Sequence, residues 1–208
     1  MTTDGPAAKA ILREYLQAQR QVLLDKLDGL SEQQARTPVT GTGTNVAGVI
    51  KHAVSVESAY LGMCVGRPFP VELPWLSDDA PDNDDMWLTP SQSLGWLVDL
   101  CRQIWAHADA SIEALDLDTP GSVPWWPGRE VTLQRLLVHV IAEYARHAGH
   151  LDIAREQLDG AVGYRAASPN LPSADDAQWW ADYVAKLRAI AAEASTEPVH
   201  LADLQAPS

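Results

Sequence analysis

Four long stretches of this chain repeat apolar residues at helical spacing, and none alternates over a length useful to a strand. A 3.6-residue stripe marks a helix, and with no strand-like segment to pack on it has to be buried against other helices, so this pattern constrains the fold first. The first stretch runs from about Ala7 to Leu27, with Ala8, Ile11, Leu12, Tyr15, Leu16, Val22, Leu23 and Leu27 on one stripe. Gly29 ends it, and Ser31-Glu32-Gln33-Gln34 has the form of a capping box opening a short turn. The second runs from about Asn45 to Cys64 and the third from about Ser91 to Leu115. The fourth, about Leu133 to Leu158, would be roughly 40 Å long at 1.5 Å per residue, and Asp159-Gly160 stops it. A shorter fifth helix is predicted from about Asp176 to Ala192, with Trp180, Val184, Leu187 and Ala191 inward. The expectation is an all-α chain: an antiparallel four-helix bundle with an additional C-terminal helix. It reads as a single domain over 1–208, with its core at about 7–163 and an extension at 164–208.

Between the second and third helices, the proline-rich stretch Arg67 to Pro90 contains Ser77-Asp78-Asp79-Ala80-Pro81-Asp82-Asn83-Asp84-Asp85. It lacks the glycine and the glutamate of a calcium-binding EF-hand loop, so it reads as a solvated surface loop. A second loop holds Pro124-Trp125-Trp126-Pro127-Gly128. With 28 acidic and 15 basic residues the formal net charge is −13, and no Lys/Arg cluster offsets it locally. Such a surface repels phosphate backbones, which argues against nucleic acid as a partner. Uncharged apolar runs fall short of the roughly 18 residues that a membrane span needs, and no signal core opens the chain. A cytoplasmic location is expected. Cys64 and Cys101 fall within apolar helical patterns and read as reduced core thiols.

The fourth helix carries His139-Val140-Ile141-Ala142-Glu143-Tyr144-Ala145-Arg146-His147-Ala148-Gly149-His150. Wound as a helix, His147 shares its stripe with Leu136, Val140, Leu151 and Ala154, and Glu143 lies one turn away on the same face. A carboxylate on a core-facing stripe needs neutralising, because burying it unpartnered costs several kcal/mol. Glu143 could pair with a protonated His147, meet an arginine from a facing helix, or join His147 at a metal ion. On the second helix His52 shares its face with Val49 and Val56, so a neighbouring helix could set it opposite this pair. Two imidazoles and one carboxylate are the donor set of catalytic zinc sites that keep a fourth position open. A hydrogen-bonded core histidine is the competing reading of His52. His139 and His150 flank the pair as further ligands or as bases beside the site, whereas His107 and His200 read as solvated.

The same residues carry a family resemblance. His52, followed by Glu143-Tyr-Ala-Arg-His147-Ala-Gly-His150-Leu-Asp-Ile-Ala-Arg155-Glu-Gln-Leu-Asp159-Gly160, resembles the DinB-like metalloprotein superfamily. Within it, the chain is most similar to the branch that includes mycothiol-dependent maleylpyruvate isomerase. The similarity runs from Ala7 to about Gly163, with Leu27 to Ala35 and His52 to Glu57 fitting as well. It implies a helical bundle, often dimeric, with one divalent metal held between helices. By position, the implied ligands are His52, Glu143 and His147. His150 falls where many relatives carry glutamine.

The isomerase has a further C-terminal domain, and the last segment here lacks an arginine matched to that domain. The resemblance therefore implies the general chemistry of a metal-dependent thiol S-transferase or isomerase acting on a small electrophile. The metal would be zinc, with nickel as the alternative, and the thiol a mycothiol-type cofactor. His150 and Arg155 are the candidates for substrate or proton contacts, with Arg155 or Arg129 supplying positive charge for an anionic thiol. A homodimer burying part of the tryptophan-rich surface would account for eight Trp against one Phe. The rival reading is a metal-binding helical module or sensor without turnover.

Overall fold

A computed structural model describes residues 5–164, 170–172, 176–194 and 196. The chain divides into two compact units, Met1–Pro169 and Asn170–Ser208. In the first, helices α1 (Gly5–Asp25), α3 (Val46–Tyr60), α4 (Leu94–Ala114) and α5 (Leu133–Asp159) form the expected bundle, and α2 (Glu32–Arg36) is a single short turn. A small antiparallel hairpin, β1 (Pro120–Ser122) with β2 (Glu130–Thr132), brackets the Trp125–Trp126 loop. Its strands are too short for their alternation to show in the sequence.

The ends of these helices follow local chemistry. Ser31 and Gln34 close the capping box on α2, and Asn45 caps α3 by accepting from the Gly48 amide at 2.7 Å. Gly160 takes the left-handed conformation, φ 76°, that ends α5. Helix directions follow from side-chain contacts. Lys9 reaches the Leu115 carbonyl while Arg20 reaches Asp109, so α1 and α4 are antiparallel. The pairs His52–His147 and Tyr60–His139 make α3 and α5 antiparallel. By contrast α3 and α4 run the same way, so the bundle is not antiparallel throughout as the sequence pattern predicts. Arg36 ties the chain before α3 to the Leu88, Thr89 and Gln92 carbonyls before α4, and Arg67 beyond α3 meets Ser111 near the end of α4. The long connection from Leu61 to Ser93 therefore travels back along the bundle instead of hanging free.

The α1 stripe is rotated from the sequence reading. Ile11 and Tyr15 are more than half exposed, while Arg20 is buried beside Leu16 and Leu23. The reason lies on α3: Glu57 has no exposed surface and forms a buried ion pair with Arg20. Tyr144 donates to Glu57 at 2.6 Å, Trp105 donates to Tyr144 at 3.1 Å, and Arg20 also pairs with Asp109 at 2.8 Å. In the second unit, α6 (Ala177–Ala192) buries none of its residues.

The acidic connection is also more than a solvated loop. Its residues Asp84–Met86 form a 3-10 turn seated on α3. A β-carbon at Gly48 would lie 1.8 Å from the Met86 carbonyl oxygen, so only glycine admits this approach. Gly48→Ala is expected to destabilise the protein by about 1–3 kcal/mol, the range for forcing an extra methyl into a packed contact. Urea unfolding of the two proteins measures it.

Candidate functional site

The bundle places His52 of α3 against His147 of α5, ring centroids 4.9 Å apart and edge to face. His147 is only 8 % exposed, and among the described residues neither of its ring nitrogens has a hydrogen-bond partner. Buried imidazoles are ordinarily hydrogen-bonded, so an orphaned pair of nitrogens needs an explanation. Glu143 lies beside it, its carboxylate 3.6 Å from His147 Nε2 and 3.9 Å from His139 Nε2. His139, Glu143 and His147 thus form a line at one-turn spacing along α5, with His52 across the gap from its inner end. Among the described residues no three His, Cys, Asp or Glu side chains converge closely enough to hold an ion as they stand. The donor chemistry nevertheless suits a divalent cation: two imidazoles, one of them without a hydrogen-bond partner among the described residues, and a partly exposed carboxylate.

Burial pushes the His147 imidazole down to about 4, with His52, His150 and Arg146 adding to the shift and Asp85 opposing it. The group is therefore neutral, as a ligand must be, across the physiological range. In the metal-free protein it makes stability depend on pH. Unfolded, His147 takes up a proton near 6.5; folded, it resists until about 4. The stability from keeping it neutral is complete above 6.5 and is lost as the pH falls towards 4. The loss is expected to reach on the order of 3 kcal/mol. Urea midpoints measured from pH 7 to pH 4 should fall in the wild type and flatten in His147→Leu.

A residue absent from the sequence reading completes the pair. Asp85, on the 3-10 turn, accepts from His52 Nδ1 at 2.6 Å. It stood within a run of aspartates that composition alone marks as solvated, and no local spacing distinguishes it from its neighbours. The outer end of the line is walled by aromatics. Tyr60 and Trp126 stack edge-on against His139 at 4.6 and 4.7 Å, and the indole N–H groups of Trp125 and Trp126 both donate to the Tyr60 hydroxyl. Part of the tryptophan excess is thus spent inside one chain.

The other candidates fall elsewhere. His150 is exposed one turn beyond His147, with the ring centroids 5.4 Å apart. Arg155 is buried and committed: it donates to the Lys26 and Asp28 carbonyls at 2.7 and 3.1 Å and to Asp159. It fastens the end of α1 to α5 and does not meet the histidine pair. The cation whose charge is felt at His147 is Arg146. Arg129 is exposed on the hairpin loop. His107 is not merely solvated, since its Nε2 donates to the Arg67 carbonyl at 2.7 Å. His200 lies outside the described residues. Burial pushes the Cys64 thiol up to about 11 and the Cys101 thiol to about 12, so both stay protonated and neither serves as a nucleophile. An open cavity of about 1040 Å³ lies by the hairpin, but no histidine lines it.

The family model for mycothiol-S-transferase matches residues 11–160. A solved structure, the conserved protein of a locus from Enterococcus faecalis, superposes with a TM-score of 0.58 at 16% sequence identity. The match covers 77% of this chain and 99% of that one. At this identity the likeness bears on fold alone. No curated protein matches the chain. Among the described residues, no helix is long and apolar enough to cross a membrane.

Proposed function

The chain belongs to the mycothiol S-transferase family, and on that premise we propose that it is a divalent-metal-dependent transferase joining a small thiol to an electrophile. The observation that carries this reading is the buried His147, both nitrogens unpartnered, facing His52 across the bundle. His52, Glu143 and His147 would hold the ion, zinc in the first instance and nickel as the alternative. When bound, such an ion supplies Lewis acidity that lowers the pKa of a coordinated thiol.

The protein's own groups account for the rest. Burial keeps His147 neutral and available as a donor. Tyr60 and Trp126 shield the outer end of the site from water. Arg146 provides positive potential for an anionic sulfur in a chain of net charge −13. His150, exposed with its ring 5.4 Å from that of His147, is the group assigned to take up the thiol proton. The sulfur then forms a new bond to the electrophilic carbon as the bond to the leaving group breaks. The thiol is of mycothiol type, the site is cytoplasmic, and the active form is a homodimer.

Cobalt-substituted protein titrated with mycothiol tests the proposal. Thiol binding should produce a sulfur-to-cobalt charge-transfer band, and an electrophile panel should then be conjugated at a rate that depends on metal. A spectrum unchanged at saturating thiol would overturn the transferase reading in favour of a metal-binding module without turnover. A mass of about 23 kDa, the chain's 22.6 kDa, across micromolar concentrations would remove the dimer.

A further inference from the structure

We propose that Asp85 is a positioning residue for His52, and that the loop which carries it is docked on α3 for that purpose. The inference rests on the reading of His52 as a metal ligand and extends it to the loop. A carboxylate can only accept, so the 2.6 Å contact requires His52 to carry its proton on Nδ1. That selects one tautomer and leaves Nε2 as the nitrogen with a free lone pair. Both side chains are partly enclosed, 26% exposed for His52 and 19% for Asp85, so the bond is not simply a screened surface pair. Metal-ligating histidines are commonly oriented in this way, through the ring nitrogen that does not bind the ion.

The loop is held where this contact needs it. Asn45 Nδ2 donates to the Met86 carbonyl at 3.1 Å. Lys51 Nζ donates to the Asp84 and Trp87 carbonyls at 2.8 and 2.9 Å. Gly48 lets the backbone of the turn approach α3 closer than any side chain would permit. Asn45, Gly48, Lys51 and His52 therefore make one docking strip along α3. Asn83, in the left-handed conformation at φ 62°, begins the turn. Asp84 gives its carbonyl to Lys51, whereas Asp85 sends its carboxylate to the histidine. Three anchored backbone carbonyls, those of Asp84, Met86 and Trp87, are more than an acidic solvated loop requires.

Zinc affinity of the full chain, measured by competition with a chelator, tests this without relying on activity. Asp85→Ala should weaken zinc binding about 10–100-fold at an unchanged one ion per chain. Asp85→Asn, whose side-chain oxygen still accepts from Nδ1, should recover a large part of that loss. Gly48→Ala, which displaces the turn and leaves the carboxylate intact, should weaken zinc in the same direction. In a His52→Ala background, Asp85→Ala should change affinity less than twofold, because its effect passes through the imidazole. At saturating cobalt the Asp85→Ala protein should keep the wild-type band positions.

Wild-type zinc affinity in Asp85→Ala would overturn the proposal, as would an undiminished loss in the His52→Ala background. Shifted cobalt bands in Asp85→Ala would do so too, by making Asp85 a direct ligand. If His52→Ala itself binds zinc like the wild type, the parent reading of the ligand set fails, and this inference fails with it. That outcome is separate from one in which His52 matters and Asp85 does not.

Discussion

In metal-free protein at pH 7, His147→Leu is expected to raise stability while the same change removes tight zinc binding. The two effects share one cause. His147 has two shielded ring nitrogens without partners, and a buried polar group left unbonded costs about 1–3 kcal/mol. Leucine has a similar volume, carries no polar atom, and would sit on a stripe that already buries Val140, Leu151 and Ala154. A gain on the order of 1–3 kcal/mol is therefore expected from urea unfolding in the presence of chelator. Excess zinc should invert the order, because an ion that binds only the folded chain stabilises it by about 4 kcal/mol at a thousandfold excess over Kd. The affinity lost should exceed the roughly 10–100-fold that removal of an orienting partner brings. His52→Ala and Glu143→Ala are expected to lose tight zinc as well. His107→Ala should retain it, its ring being spent on the Arg67 carbonyl. A variant His147→Leu that is less stable than the wild type without metal would mean that the imidazole is a structural core group.

What the residues disclosed in advance, and what they hid, divides along the range of the interactions involved. The helices are local: apolar stripes, the Ser31–Gln34 box and the Gly160 stop are written within a few residues of where they act. His52 and His147 were also traceable, because each shares a face with apolar residues of its own helix and a neighbouring helix could set the two opposite one another, as the 4.9 Å ring contact does. The α1 stripe misled for the opposite reason. Counting apolar residues places Ile11 and Tyr15 inward, yet the position buried is Arg20, and only Glu57 on α3 explains it. Asp85 was hidden likewise. Its partner is 33 residues away in sequence, and the glycine that admits its turn lies on another element. Arg155 is the converse case. It lies within the motif that carries the family resemblance, but its geometry ties the end of α1 to α5. Membership of a motif does not say which way a side chain points.

Glu57→Ala is expected to be among the most destabilising single substitutions in the bundle, by about 3–5 kcal/mol. Arg20 is 1% exposed and Glu57 wholly enclosed, so removing the carboxylate strands a guanidinium in the core. Burial alone would favour the neutral form of Arg20, and Glu57 with Asp109 outweighs it and keeps the guanidinium charged. Asp109 is the weaker remaining partner, its side chain 31% exposed. The Tyr144 hydroxyl, which donates to Glu57, would also lose its acceptor, leaving a second buried polar group unmet. The penalty should come from the stranded charge and not from the loss of a large intrinsic attraction. The paired change Arg20→Met with Glu57→Leu, which removes both charges and keeps the volume, should therefore recover most of the stability that Glu57→Ala loses. A double-mutant cycle from urea unfolding, with Arg20→Met and Glu57→Leu as the singles, should give a strong favourable coupling. Additive effects from those two singles would contradict a mutually dependent pair. Because Tyr144 follows Glu143 directly in sequence, the cycle has a second readout. If the network merely fills the core, zinc affinity in the double variant should stay within a few-fold of wild type. A larger fall would show that the buried charges also hold α5 in the register that sets His147 opposite His52.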